Sequence, residues 1–311
     1  MLIQNNMYMK KLLSIVYALL VCVGLSAQSD RYEQRYNLLV SQFGPAGVGV
    51  ETVLNNWEKV DSTNAKLLLG RFSYLFAKAQ STIVEKKYEK KYLGMDPALA
   101  LKDSTGRDVY YYQVNTYDDE LYGEAIKAAD KAIAFHPRRL DFRFLKANAY
   151  IAYEKESPDM ALSYLMALVD EFASSSGKWT FEGEDADSEF FQDAMQEYCY
   201  SLYVISTPSS LKSFKTLSEK LSAVYTENVE YINNIGSYYM IAVKDYKTAL
   251  KYYNKVLKTH PDDYTALKNA VVAARRTNNL KAEKKYLEQM VKYGPEKEAA
   301  LAQNRLNAIA K

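Results

Sequence analysis

Histidine occurs twice in the 311 residues, as His136 and His260, and each stands directly before a proline, Pro137 and Pro261. A zinc site takes three or four ligands, and a serine or cysteine nucleophile needs a base beside it. Neither histidine has such company along the chain, and their matching surroundings mark one structural position used twice. Asp185, Asp187 and Glu189 alternate with other residues as calcium ligands do, but an EF-hand loop also needs further oxygen ligands, a central glycine and a closing glutamate. Acidic residues ahead of a helix N-terminus, where the dipole favours them, account for the run Glu182–Glu189. Gly44-Pro45-Ala46-Gly47-Val48-Gly49 is glycine-rich enough to cradle a phosphate, yet no strand precedes it and its spacing fits neither nucleotide motif, so it reads as a turn between helices. Paired carboxylates of the glycosidase kind meet only in the fold, and nothing in the sequence selects a pair. No catalytic residue, metal or cofactor is therefore expected.

The elements that must carry any site are helical nearly throughout. Tyr32, Tyr36, Leu39 and Phe43 recur at steps of four, three and four; Val53, Leu54, Trp57 and Val60 form a second stripe. A third runs through Leu67, Leu68, Gly70, Tyr74 and Ala77, with the cluster Ser62-Thr63-Asn64 as its cap. The lysine-rich stretch Lys86–Lys91 reads as a solvated helix face. Between about 98 and 114 the pattern changes to alternation: Leu99 and Leu101, a turn at Ser104-Thr105-Gly106-Arg107, then Val109, Tyr111 and Gln113. This predicts an inserted β-hairpin packed on the helices by Tyr110, Tyr111 and Tyr112.

The first residues order as a secretory signal peptide: Lys10-Lys11, the apolar run Leu12–Val23, and the exit Gly24-Leu25-Ser26-Ala27, with cleavage expected near Ala27. Met7 and Met9 are alternative starts. At about a dozen residues, the run is shorter than the roughly 20 of a membrane-spanning helix. Cys22 follows Val21 rather than the small residue that lipoprotein signals carry, so no lipid anchor is expected. Cleavage leaves Cys199 alone, without a disulfide partner, and stability must come from packing. Lys and Arg number 40 against 38 Asp and Glu; losing the two leader lysines brings the formal charge to zero, without the basic excess that nucleic-acid binding needs.

A repeat is visible at Ala125, Ala129, Ala132 and Pro137 and again, with identical gaps, at Ala249, Tyr253, Val256 and Pro261. A small residue lets two helices approach, the next two fill the seam, and proline ends the unit. With Ile232, Ile235, Gly236 and Tyr239 ahead of the second set, and one residue inserted near Lys244-Asp245, these positions resemble the tetratricopeptide repeat. Tyr264 to Pro295 resembles a further copy through Leu267, Ala270, Ala274, Ala282 and Tyr286, although Val271 stands where glycine is usual. So does Leu140 to about Phe172, through Ala147, Tyr150, Ala161 and Leu168, with a longer turn at Ser157-Pro158-Asp159.

The resemblance implies an all-α, tetratricopeptide-like α-solenoid of antiparallel helix pairs with the hairpin inserted. Residues 28–311 form one helical-repeat domain: divergent helices and the hairpin over 28–120, repeat-like helices over 121–172, a degenerate pair over 173–225, the two clearest repeats over 229–295 and a capping helix over 296–311. It also implies a periplasmic or secreted, non-catalytic scaffold of the kind exported to Gram-negative envelopes, which holds a peptide segment or partner protein on a concave surface. By position in the repeat, that surface takes Phe144, Asn148, Asn233, Ser237, Lys268 and Val272, with Arg275 a turn further on. Lys268 and Arg275 would receive a carboxylate. Replacing Asn233 and Lys268 together is then expected to weaken capture without lowering the melting temperature. Two other readings stand beside it. The 28 tyrosines could stack on sugars, making the chain a glycan binder, and an enzyme site could lie in the hairpin and acidic region.

Overall fold

Most of the helices start where a side chain replaces the missing intrahelical partner of the first turn. The computed structural model describes residues 28–310; the leader and Cys22 lie outside them. Helix α1 covers 28–43, and the glycine-rich turn follows with Gly44 and Gly49 at φ 78° and 84°, the left-handed region that glycine enters without strain. Helix α2 (Val50–Val60) and α3 (Ala65–Ala79) come next, the latter capped by Asn64, whose side chain accepts from the backbone N–H of Lys66 and Leu67. Trp57 is wholly buried among Leu39, Val50, Leu54, Leu67 and Tyr74. Its Nε1 donates to Ser29 Oγ at 2.7 Å, and Asn64 Nδ2 donates to the same oxygen at 3.2 Å. Ser29→Ala strands a buried indole N–H, so it should cost about 1–3 kcal/mol, read as a lower denaturation midpoint. An unchanged midpoint would show that α1 is held by packing alone.

The chain then departs from the all-α expectation. Strand β1 (Gln80–Lys87), β2 (Leu99–Lys102) and β3 (Asp108–Tyr117) form a three-stranded sheet in the order β1-β3-β2. The predicted hairpin is β2–β3, antiparallel with Leu99 opposite Tyr111 and Leu101 opposite Val109. Its turn is organised by Asp103, whose carboxylate accepts from Thr105 and Arg107 N–H, with Gly106 at φ 82°. Val109, Tyr112 and Val114 are buried. The reading of Lys86–Lys91 as a helix face is corrected: Thr82, Ile83 and Val84 are β-branched and favour a strand, which extends to Lys87. Two of its charges lie over rings instead, Lys87 Nζ 4.1 Å from the centre of Tyr92 and Lys86 Nζ 5.6 Å from that of Tyr88, on which the Arg107 guanidinium also sits at 3.9 Å.

Helices α4 (Asp119–Phe135), α5 (Leu140–Glu154) and α6 (Asp159–Ser174) follow. Where Pro158 offers no side-chain cap, the Glu154 carboxylate accepts from Met160 and Ala161 N–H at 2.7 and 2.9 Å. A second departure comes next, a two-stranded hairpin of β4 (Trp179–Phe181) and β5 (Glu184–Ala186) in the region read as a degenerate helix pair. Its turn residues Glu182 and Gly183 have φ 51° and 96°, the signature of a tight hairpin turn. The helix pair itself is present as α7 (Ser188–Ile205) and α8 (Pro208–Val224).

Helix α9 (Glu230–Tyr238) runs into a π-helical turn, Tyr239–Val243, which ends at Lys244 with φ 59°. A π-turn takes one extra residue into a helix, just ahead of Lys244-Asp245, where the sequence reading expects an inserted residue. Then come α10 (Tyr246–Thr259), α11 (Tyr264–Arg276), α12 (Leu280–Tyr293) and α13 (Glu296–Ala310).

The described residues fall into two compact units, one of residues 28–85, 113–149 and 177–186, the other of 86–112, 150–176 and 187–310. The chain crosses between them inside β1, β3 and α5, again at 176/177 in the Ser174-Ser175-Ser176-Gly177 stretch, and at 186/187 just ahead of α7. In the first unit α3 packs along α4, and Ala125, Ala129 and Ala132 are fully buried. In the second, every helix from α7 to α12 packs on the next, while α7 also touches α9, α9 touches α11, and α6 touches α8. Its core gathers Ala249, Tyr253, Val256, Leu267, Ala270, Ala274 and Tyr286. No helix among the described residues is long and apolar enough to cross a membrane.

Candidate functional site

The three helices α7, α9 and α11 lie side by side and are joined by a run of side-chain amides. Asn228 Nδ2 donates to Gln192 Oε1 at 3.2 Å, Asn234 Nδ2 to Gln196 Oε1 at 2.8 Å, and Tyr231 OH to the Gln192 carbonyl at 3.0 Å. On the other side Asn233 Nδ2 donates to Asp263 Oδ1 at 3.1 Å, while Asp263 caps α11 by accepting from Ala266 N–H. Beside this seam each helix shows solvent a stripe at three- and four-residue spacing: Glu189, Asp193 and Glu197 on α7; Glu230, Asn234 and Ser237 on α9; Lys268, Val272 and Arg275 on α11.

The electrostatics of the face are uneven. Glu230 is pushed above the ordinary carboxylate range by burial and then by the negative charges of Asp193 and Asp263. Among the described residues Glu189, Asp193, Glu197, Glu230 and Asp263 have no ion-pair partner. Like charges four apart on one helix repel by a few tenths of a kcal/mol per pair, so the stripe on α7 is held against its own field.

Of the seven residues expected on the gripping surface, Val272 is exposed on the α11 stripe, and the other six divide. Phe144 is buried and packs on Phe181 of the β4–β5 hairpin, ring centres 6.1 Å apart; the hairpin that the sequence reading missed covers it. Asn148 is exposed, in the first unit. Asn233 is only 4% exposed and has its bond to Asp263, so it is a joint between α9 and α11. Its replacement by alanine should lower stability by about 1–3 kcal/mol, read as a fall in melting temperature. That reverses the expectation of an unchanged melting point, and no fall would restore it. Ser237 is half-buried with its hydroxyl 3.3 Å from Tyr253 OH. Lys268 is exposed. Arg275 donates through Nε to Glu283 Oε1 at 3.0 Å, and Arg305 Nε donates to the same oxygen at 2.9 Å. Glu283 is 1% exposed, so Arg275 already holds a carboxylate within the chain.

The remaining candidates find structural employment. His136 and His260 are the C-caps of α4 and α10, each donating its backbone N–H four residues back, to Ala132 and Val256. The His136 ring Nε2 lies 2.7 Å from the Thr63 carbonyl. Asp185 is ion-paired with Lys178, and Asp187 caps α7 by accepting from Phe190 N–H at 2.9 Å. Burial pushes the Cys199 thiol up to about 12, which keeps it protonated at neutral pH and a poor nucleophile. Among the described residues the exposed tyrosines are Tyr88, Tyr200 and Tyr293, and Tyr88 is flanked by Lys86 and Arg107. A cleft of about 560 Å³ in the second unit is lined by Tyr92, Gly94, Glu156, Tyr203, Ser206 and Ile241. Tyr92 OH closes part of it with a 3.0 Å bond to Glu156, and a Cβ on Gly94 would lie 2.5 Å from the Val204 carbonyl oxygen.

Sequence signals for the acidic face existed in the four-residue spacing of Glu189, Asp193 and Glu197, but only the helix crossing brings Glu230 and Asp263 beside them. No protein-family model matches this chain, and no curated protein matches it.

Proposed function

We propose that this chain is an exported, tetratricopeptide-like α-solenoid that works as a non-catalytic scaffold, holding a segment of a partner protein on the exposed stripes of α7, α9 and α11. The observation that supports this reading most is the side-by-side contact of those three helices, each also packed on the helix that follows it. In a solenoid such a row is a continuous surface. The repeat seam agrees with it: Ala249, Tyr253 and Val256 have no exposed surface, and a Cβ on Gly236 would come within 2.6 Å of the Tyr253 ring, so the glycine is what lets α9 approach α10. Sugar stacking draws less support, because most tyrosines are buried or half-buried.

Affinity capture from the cell envelope, with the mature chain as bait, tests the proposal. Wild type should retain one discrete protein, displaced by excess untagged bait. Val272→Arg, which puts a bulky cation in the middle of the α11 stripe, should lose it, whereas Lys255→Ala on α10 should not. Capture that is not displaced, or that ignores Val272→Arg, would overturn the reading.

A further inference from the structure

We infer that the face formed by α10 and α12 docks on an anionic lipid surface, with headgroup phosphates seated among its lysines. The inference is independent of the scaffold reading and concerns helices that reading leaves unused. The chain as a whole is almost neutral, with 40 Lys and Arg against 38 Asp and Glu, but its charge is unevenly placed. Helix α10 has four lysines and no acid. Helix α12 also has four, and its two acids are Glu283, buried and paired with Arg275 and Arg305, and Glu288. Lys247, Lys251, Lys255 and Lys258 recur at steps of four, four and three, and Lys281, Lys285 and Lys292 at four and seven, so each set lies along one side of its helix. These seven are exposed and Lys284 is half-buried. None of the eight has an ion-pair partner among the described residues. A single exposed carboxylate, Glu288, stands against eight unpaired ammonium groups.

The second observation is a cleft between the two helices. Tyr286 OH donates to Asn254 Oδ1 at 2.8 Å and ties α12 to α10. Beside this bond opens a cleft of about 680 Å³, with Lys281, Lys284 and Lys285 on its α12 wall and Leu250 and Asn254 on its α10 wall. Asn254 accepts through its oxygen, which leaves its amide N–H groups as donors. Ammonium groups and amide donors together suit a phosphate. The array is larger than one small anion needs: each helix has 14 residues, about 20 Å of length, and lysines stand from end to end. Apolar groups interleave with them. Leu280, 56% exposed, precedes Lys281, and Tyr293, 37% exposed, has Lys292 Nζ 4.6 Å from its ring centre. Lysines mixed with leucine and tyrosine match the boundary between headgroups and acyl chains, an apolar layer that a nucleic-acid backbone does not offer. Neither helix has an arginine, whose fork makes the bidentate bonds of nucleic-acid recognition.

Vesicle flotation of the full chain tests this, with vesicles of phosphatidylcholine alone and of phosphatidylcholine mixed with phosphatidylglycerol. Wild type should bind the mixed vesicles more tightly than the neutral ones, and the excess should fall as salt is raised. Lys251→Gln, Lys255→Gln and Lys281→Gln together should weaken binding to the mixed vesicles about ten-fold or more. Removing the same charge elsewhere, by Lys59→Gln, Lys90→Gln and Lys212→Gln at three exposed positions, should leave binding near wild type. The melting temperature of the first variant should equal or exceed that of wild type, because like charges on one helix are gone; this separates lost binding from lost folding. An excess that is absent, that persists in the first variant, or that falls equally in both variants would overturn the inference. So would a DNA duplex bound as tightly as the mixed vesicles and released by the first variant, which would make the face a site for any polyanion.

Discussion

A chain carrying Arg275→Ala and Arg305→Ala together is expected to unfold about 3–5 kcal/mol more easily than wild type, the scale for a buried charge stripped of its partners. Glu283 is buried, and its carboxylate is met by Arg275 Nε at 3.0 Å and Arg305 Nε at 2.9 Å. Burial alone raises this carboxyl; the bonds and charges of Arg305 and Arg275 outweigh burial and hold it below the ordinary range. A carboxyl depressed in the folded state contributes stability above its unfolded value and loses it as pH falls through the folded value. With both arginines gone the depression disappears and burial acts unopposed. The deficit should therefore be largest near neutral pH and should shrink as pH falls, because the unpaired buried carboxyl takes up its proton above the ordinary carboxylate range. Urea midpoints for the two proteins across that range make the measurement, and a pH-independent deficit would show that the arginines act by packing.

Tyr253→Ala should cost a similar amount, about 3–5 kcal/mol, as deletion of a fully buried ring does. The ring has no exposed surface, lies against Gly236, and directs its hydroxyl to Ser237 at 3.3 Å and Met240 Sδ at 3.9 Å. Tyr253→Phe keeps the ring and gives up only those long contacts, so it should stay within about 1 kcal/mol of wild type. Chemical denaturation of both variants separates the contributions; equal losses would mean that the hydroxyl, and not the filled seam, holds α9 to α10.

These two sites differ in how far the sequence discloses them. Tyr253 is legible because a repeat copies it: Ala249, Tyr253 and Val256 share their gaps with Ala125, Ala129 and Ala132, and a seam used twice must meet the same steric demand twice. Glu283 is not legible. It stands in Lys-Ala-Glu-Lys-Lys, which looks like any solvated helix, and the residue that buries it with charge intact, Arg305, lies on the next helix. The same contrast runs through the strands. The β2–β3 hairpin declares itself by alternation and by Gly106, whereas β1 hides behind adjacent Ile83 and Val84, which are exposed on both sides, so no period of two is seen. The β4–β5 hairpin turns through Glu182, a non-glycine residue at φ 51°, inside an acidic run that equally suits a helix start. As for the candidate face, position in the repeat that the sequence resembles selects Lys268, which is exposed, and Ser237, which is half-buried, but it also selects Asn233, Phe144 and Arg275, whose side chains are engaged within the fold. Positions in a repeat fix which side of a helix a residue lies on, and not whether a neighbouring element has already covered it.

The most direct test of the scaffold account is photo-cross-linking of the chain in the cell that makes it, with a benzophenone amino acid at position 268 on the α11 stripe or at position 255 on α10. Both residues are exposed. The account predicts a single protein adduct from position 268 and none from 255. Adducts from neither position, or the same adducts from both, would contradict it.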